Sequence, residues 1–273
     1  MLFRSVITTA NASRCVIVKT LVTTDLQRAI ADRHGLRCVE TLTGFKYIGE
    51  KLGGYETALG LAPAAYRAMS ESDTRRARLA ASSFYVCGGE ESYGYSAADF
   101  VRDKDGNGSV VVFAEVAAYA KSRGLTLPEY LDEVYAEYGF YLEKNGNLTF
   151  EGAEGAAKIS RLVASYAETP PRDANGVAVT ATRNFAVEDI VDVEGAMLPK
   201  EKMLMIELAD GRRVAVRPSG TEPKIKFYMF ARRLPAPGAK FSSAELAAIK
   251  AEVTASLETL WMWVQRDVET RLG

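Results

Sequence analysis

Residues Cys15–Val22 (CVIVKTLV) are apolar at nearly every position and rich in β-branched side chains. This is the pattern of a parallel strand buried on both faces. Thr24-Asp-Leu-Gln27 then reads as a capping box, with Leu26, Ala29 and Ile30 on one helical face. Gly35 ends that helix and Leu36–Val39 resumes an extended run, so strand, helix and strand fit within about thirty residues, the size of a βαβ unit. Ser82–Val86 predicts a further short strand that runs into the glycine-rich Cys87-Gly-Gly-Glu-Glu-Ser-Tyr-Gly94. Val110–Arg123 reads as a helix stopped by Gly124, and Thr126-Leu-Pro-Glu129 opens another with Leu131, Val134 and Tyr135 inward. Asn145-Gly146 predicts a hairpin turn, and Ala153–Ala167 a helix.

Glu168-Thr-Pro-Pro-Arg-Asp-Ala-Asn-Gly176, with two prolines and polar residues, reads as a linker. Beyond it the pattern changes. Leu204–Leu208, a turn at Ala209-Asp-Gly211 and Arg213–Val216 predict an antiparallel pair. In Lys224–Phe230 the apolar Ile225, Phe227 and Met229 alternate with Lys226 and Tyr228, and Ser242–Arg271 predicts a long closing helix bearing Trp261 and Trp263 as core or interface residues. The predicted fold class is α/β: a mixed α/β domain over residues 1–170, a linker at 168–176, and a small α+β domain with an antiparallel sheet and helices over 177–273.

Composition narrows the function. The 273 residues are 48% hydrophobic and 25% charged with a formal net charge of −1, so no basic face is implied and nucleic acid is not an expected partner. Apolar stretches such as Val110–Phe113 and Met203–Ile206 fall far short of the roughly 20 residues of a membrane span. The start has no long apolar core like that of a secretory signal. Cys15, Cys38 and Cys87 form no CxxC pair, which favours a reducing, cytoplasmic setting. With His34 the single histidine, placed to cap the end of the first helix or to face solvent, His-based metal sites and His-dependent triads are close to excluded.

Candidate chemistry concentrates in a few loops. In Arg217-Pro-Ser-Gly-Thr-Glu-Pro-Lys224, Arg217 offers a planar fork of donors suited to a phosphate, and Ser219 and Thr221 add hydroxyls. Gly220 lets successive backbone N–H groups converge on an anion. The alternative is a polar strand connection. Gly88-Gly-Glu-Glu-Ser-Tyr-Gly94 follows the carboxyl end of a strand, where open α/β sheets bind ligands. In extended backbone Glu90 and Ser92 share one side, a grip for vicinal sugar hydroxyls, whereas the alternative is a solvated acidic turn. In Thr41-Leu-Thr-Gly-Phe-Lys46, Thr43 reads as a helix cap and Lys46 as a cation within reach of an anion. Lys19 inside a buried strand either snorkels at the sheet's rim or faces a site. Asp103-Lys-Asp-Gly-Asn-Gly108 mimics the start of a calcium loop, but the twelfth position is Ala114 rather than an acid.

Taken in order, VKTLVTTD (Val18–Asp25), ETLTGFKYIGEK (Glu40–Lys51), GGEESYGY (Gly88–Tyr95), FVRDKDGNG (Phe100–Gly108) and RPSGTEPKIKFY (Arg217–Tyr228) resemble the last two domains of the α-D-phosphohexomutases, closest to the phosphoglucomutase/phosphomannomutase branch. In that family four domains surround a cleft. A phosphoserine in the first donates its phosphoryl group and a three-aspartate loop in the second holds Mg²⁺. The resemblance therefore implies sugar contacts from Glu90 and Ser92, with Lys19 and Lys46 lining the cleft, and phosphate contacts from Arg217, Ser219, Gly220 and Thr221. It implies a hexose phosphate substrate, a hexose bisphosphate activator, and Mg²⁺ whose ligands are not in this sequence. No serine here lies in a T-A-S-H-N-P-like loop, and no D-x-D-x-D loop occurs. The expected activity is thus the C-terminal portion of a mutase, inactive alone and possessing no catalytic or metal residues of its own. The alternatives are a non-catalytic sugar-phosphate-binding module, one half of a split enzyme partnered by the missing N-terminal half, or a phosphopentomutase. Tyr93 and Tyr95 stand where some members carry glycine and histidine, which leaves the sugar open.

Overall fold

The computed structural model describes residues 7–220 and 222–273, and these form two compact units. The first runs to Leu131 and takes in Val191–Leu198; the second comprises Asp132–Ile190 and Pro199–Gly273.

In the first unit β1 (Cys15–Thr20) lies between the parallel strands β2 (Arg37–Thr41) and β3 (Phe84–Gly89), and the short β4 (Tyr95–Ser96) runs antiparallel to β3. Every residue of β1 is buried, as its unbroken apolar run predicts for a strand covered on both faces. Val16 and Val18 pack with Phe45, Ile48 and Leu52 of helix α2 (Phe45–Thr57). Cys15 and Ile17 pack on the other face with Ala31 of α1 (Leu26–Arg33) and Leu79 further along the chain. Helices α3 (Pro63–Arg67) and α4 (Glu71–Ala81) complete the β2–β3 crossover, and α5 (Gly106–Ser122) follows β4. The calcium-like stretch is the cap of α5, because Asp105 accepts the Gly108 N–H at 2.8 Å.

The capping box at Thr24 does not form. Asp25 is the N-cap of α1 and makes no side-chain cap, because its carboxylate is committed to Lys19 at 3.1 Å. At α6 (Leu127–Tyr138) a reciprocal cap is present: the Thr126 N–H donates to Glu129 Oε2 at 2.8 Å and the Glu129 N–H to Thr126 Oγ1 at 3.4 Å. Leu131 is nevertheless exposed, whereas Tyr135 packs against the second unit's core.

The Val191–Leu198 segment is held in the first unit by charge. Asp192 Oδ1 accepts the N–H groups of Glu194 (2.8 Å) and Ala196 (3.0 Å), closing a turn. Glu194 meets Arg37 at 2.7 Å, Lys51 at 3.0 Å and the Tyr55 hydroxyl at 2.9 Å, and Lys51 also pairs with Asp192. Burial works against the Lys51 charge, but these two carboxylates hold its pKa above the ordinary lysine value.

The second unit is an antiparallel sheet in the order β5 (Phe140–Thr149), β10 (Lys224–Arg233), β9 (Arg213–Pro218), β8 (Leu204–Leu208), β7 (Val177–Asn184), β6 (Asp173–Ala174). Helices α7 (Gly152–Glu168) and α8 (Ser243–Leu272) pack on it. Leu246, Val253, Leu257, Leu260, Val264 and Val268 form the buried stripe of α8, and its first turn carries the Ser242–Glu245 capping box. The core joins that stripe to Ile159, Leu162 and Tyr166 of α7 and to Ile225, Phe227 and Met229 of β10.

The unit boundary at Leu131/Asp132 departs from the one the sequence suggests at 168–176. The reason is backbone pairing: β5 is bonded to β10 along all of Phe140–Thr149 and belongs to this sheet. The supposed linker holds β6 and a tight hairpin in which Asn175 (φ 52°) and Gly176 (φ 80°) are both left-handed, as an Asn-Gly turn demands. The other Asn-Gly pair, Asn145-Gly146, lies in the interior of β5 and makes no turn. Gly146 is there because the Trp261 ring lies against it: a Cβ at this position would meet the ring at 2.0 Å. Among the described residues, no helix is long and apolar enough to cross a membrane.

Gly146→Ala should therefore cost about 1–3 kcal/mol of stability through overpacking. Gly54→Ala, at an exposed position of α2 with nothing within 4 Å of the added methyl, should instead stabilise by about 0.5–1 kcal/mol. Urea titrations of the two variants against the parent read both signs, and a neutral Gly146→Ala would mean that Trp261 yields freely.

Candidate functional site

Each unit presents one of the loops singled out by sequence. In the first, β3 and β4 are joined by Glu90–Gly94, a tight turn in which the Glu90 N–H donates to the Gly94 carbonyl at 2.8 Å and Tyr93 is left-handed (φ 57°). Strand alternation does not govern such a turn. Glu90 folds its side chain, 12% exposed, over Gly94, where a Cβ would lie 2.7 Å from Oε2; Ser92 is exposed at the tip. Lys104 Nζ stands 3.8 Å from Glu90 Oε2 and 5.6 Å from the centre of the Phe45 ring. Sequence reasoning passed over Lys104 individually because it sits in the calcium-like decoy.

Lys19 is fully buried, so it neither snorkels nor opens to solvent. Its Nζ donates to Glu40 Oε1 at 2.7 Å and to the Thr23 carbonyl at 3.0 Å, and pairs with Asp25 at 3.1 Å. Glu40 also binds Arg28 at 2.7 Å. The Thr20 and Thr23 hydroxyls are 2.8 Å apart, and Thr23 Oγ1 donates to the Gly89 carbonyl at 3.4 Å. The lysine network thus reaches the residue before Glu90, at the carboxyl ends of β1 and β3. Lys46 is exposed in the first turn of α2, 4.7 Å above the Tyr47 ring. Thr43 does not cap that helix; Gly44 is its N-cap, and Thr43 Oγ1 is buried without a hydrogen-bond partner. Burial raises the Cys38 and Cys87 thiols to about 11, the latter against a lowering hydrogen bond with Tyr95, so neither is a thiolate nucleophile near neutral pH.

In the second unit, the β9–β10 connection carries the phosphate-like loop. The Ser219 N–H donates to the Lys224 carbonyl at 2.8 Å, which closes the loop, and Lys226 stands opposite Arg217 in the ladder. Arg217, Ser219 and Gly220 line a cavity of about 610 Å³ together with Glu201, Lys202 and residues of α7. Arg217 Nε donates to Glu201 Oε1 at 2.5 Å. Burial opposes the guanidinium charge, but Glu201 and Tyr228 hold its pKa above the usual arginine value. Gly220 is exposed with nothing near its missing Cβ, and its φ lies outside the left-handed range, so the loop does not draw on glycine's special freedom there. Thr221 lies outside the described residues. Glu201 had no sequence signal: it is 16 residues from Arg217 and in no motif.

Sequence models of two phosphoglucomutase/phosphomannomutase domains match the chain: the alpha/beta/alpha domain III over residues 2–61 and 69–138, and the C-terminal domain over 177–236. A phosphoglucomutase of Staphylococcus epidermidis is 31% identical over 219 residues, covering 78% of this chain and 36% of its own length. One of Staphylococcus haemolyticus is 32% identical over 220 residues, covering 78% and 35%. The chain therefore spans only 36% and 35% of the length of these relatives. The open-form crystal structure of the Paramecium exocytosis-sensitive phosphoprotein parafusin, a phosphoglucomutase, superposes with a TM-score of 0.52 at 18% identity, covering 93% of this chain and 38% of that one, a likeness of fold. With both domain models matched in order, the chain belongs to the phosphoglucomutase/phosphomannomutase family, in the region of its third and C-terminal domains.

Proposed function

We propose that this chain is the sugar- and phosphate-binding portion of a phosphohexomutase, an isomerase that moves a phosphoryl group between C1 and C6 of a hexose phosphate through a bisphosphorylated intermediate. The observation that supports this reading most is Arg217, held at the rim of a cavity beside the Ser219–Gly220 backbone in a chain of this family. An arginine fork with adjacent hydroxyl and amide donors suits a phosphomonoester, since charge-assisted hydrogen bonds are about twice as strong as neutral ones. Glu90 and Ser92 would accept and donate hydrogen bonds to sugar hydroxyls, with Lys19 fixing the loop from beneath and Lys46 adding positive charge. Phosphoryl transfer depends chiefly on positioning and electrostatics, and these binding groups supply the positioning.

The described residues do not fit a magnesium site, since no group of three or more His, Cys, Asp or Glu is arranged to hold a metal ion. A phosphoserine and Mg²⁺ would be supplied by the family's first two domains, with a hexose bisphosphate as activator. The three cysteines are unpaired, which supports a cytoplasmic setting.

A coupled assay for glucose 6-phosphate, with Mg²⁺ and a trace of glucose bisphosphate, should give no turnover with residues 1–273 alone and turnover when the family's first two domains are added. Turnover by the isolated chain above an Arg217→Ala/Ser219→Ala control would refute the reading. Inactivity of the mixture, with hexose phosphate binding intact, would favour a non-catalytic binding module.

Arg217→Ala should weaken hexose phosphate binding by about 1.5–3 kcal/mol, measured calorimetrically. Glu90→Gln should weaken hexose phosphate binding while leaving inorganic phosphate affinity nearly unchanged. Equal loss for both ligands would mean that Glu90 acts through loop structure instead of sugar hydroxyls.

A further inference from the structure

Arg217 does not face its cavity alone. Glu201 lines the same space, and only one of its carboxylate oxygens is engaged: Oε1 takes the Arg217 Nε–H at 2.5 Å, while Oε2 is buried and has no hydrogen-bond partner. The side chains of the pair are 23% and 16% exposed. A buried carboxylate oxygen without a donor is costly, so a ligand that brings one is favoured and a ligand that brings only acceptors is repelled.

The charge around the cavity points the same way. Arg217 and Lys202 are its lining cations, and Glu201 and Glu222 its lining anions. Glu222 is itself paired with Lys224 at 2.5 Å, and Tyr228 of β10 contacts Arg217. Helix α7 presents only uncharged side chains to the cavity, among them Ser160 and Val163, and the β7 end adds Asn184 and Ala186. With Glu222 neutralised by Lys224, Arg217 and Lys202 against Glu201 leave one net positive charge, which suits a singly charged ligand better than a dianion.

We propose that Glu201 is a specificity-determining residue that selects the protonated, singly charged form of a phosphomonoester. The phosphate P–OH donates to Glu201 Oε2 while its remaining oxygens accept from the Arg217 fork and the Ser219–Gly220 region. This rests on the phosphate reading of the Arg217 loop and adds to it the protonation state of the ligand. A sulfate monoester has the same shape but no proton to give, so the site discriminates against it.

The test is a titration of the full chain with glucose 6-phosphate and with glucose 6-sulfate between pH 5.5 and 8.5, followed by amide chemical shifts so that millimolar affinities are readable. A phosphomonoester loses its second proton near about pH 6, so its affinity should fall with a limiting slope of about tenfold per pH unit above that point. At pH 5.5 glucose 6-phosphate should bind at least tenfold more tightly than glucose 6-sulfate. Glu201→Gln keeps an oxygen for Arg217 and places an amide donor where Oε2 was. It should flatten the pH profile and bring the sulfate ester level with the phosphate ester. Equal affinity of the wild-type chain for the two esters at pH 5.5, or phosphate-ester affinity rising through pH 6–7, overturns the role of Glu201. Those wild-type measurements decide the matter even if the variant does not fold. Arg217→Ala leaving phosphate-ester affinity unchanged overturns the phosphate reading itself. Weakening by Arg217→Ala with no discrimination between the esters overturns only the proton-selective role.

Discussion

The pairing of β5 with β10 along Phe140–Thr149 organises the second unit. It makes β10 an interior strand, bonded to β9 on its other side. That places Ile225, Phe227 and Met229 in the core at 0% exposure, each burial worth about 1.5–3 kcal/mol by transfer. Phe227 stands opposite Gly146 in register and 6.2 Å from Trp261, so one glycine, one phenylalanine and one indole fix how α8 lies on the sheet. With β10 locked on both edges, the turn that leads into it from β9 has both stems fixed. Arg217 then emerges from a rigid ladder and Ser219 from the first residues of the turn, which is what a binding arginine with a defined direction requires.

The first unit meets a different constraint. Lys19 brings a charge into a sheet interior where Val16, Val18 and Val39 are wholly buried. Such a charge is tolerable only when its hydrogen bonds are nearly all made. Glu40, Asp25 and the Thr23 carbonyl meet that need, and recruiting Asp25 removes the side-chain cap that α1 would otherwise have. The local cost at one helix end is offset by satisfaction of the buried ammonium. The same cluster, through Thr23, reaches the backbone that leads into the Glu90 turn, so polar satisfaction in the core and placement of the candidate sugar loop are one arrangement.

Features set by short-range pattern were legible in the sequence. The unbroken apolar run of β1, the alternation of β10, the Ser242 start of α8 and the strand–turn–strand at Leu204–Val216 each follow from local side-chain choice. The loops at Glu90 and Arg217 stood out because glycine, hydroxyl and charged residues cluster where strands end. What escaped was decided by distant partners. Asn145-Gly146 and Asn175-Gly176 are the same dipeptide, yet one admits an indole from over a hundred residues away and the other turns a hairpin. The unit boundary depends on β5 finding β10, and composition alone favoured the proline-rich stretch. Glu201 carries no motif, because its significance comes entirely from facing Arg217 across the β8–β9 edge of the cavity.

The Val191–Leu198 turn makes the first unit discontinuous in sequence. Arg37, Lys51 and Tyr55 all find their carboxylate acceptors in Asp192 and Glu194, residues encoded well beyond the switch to the second unit. A gene cut at Leu131 would yield a first fragment with two cations and a phenol stripped of two carboxylates. The second fragment would carry that acidic turn with nothing to neutralise it. The two domains therefore cannot be shuffled as separate cassettes by recombination at a single junction. Any exchange that preserves both sets of ion pairs must carry the turn with the surface it neutralises.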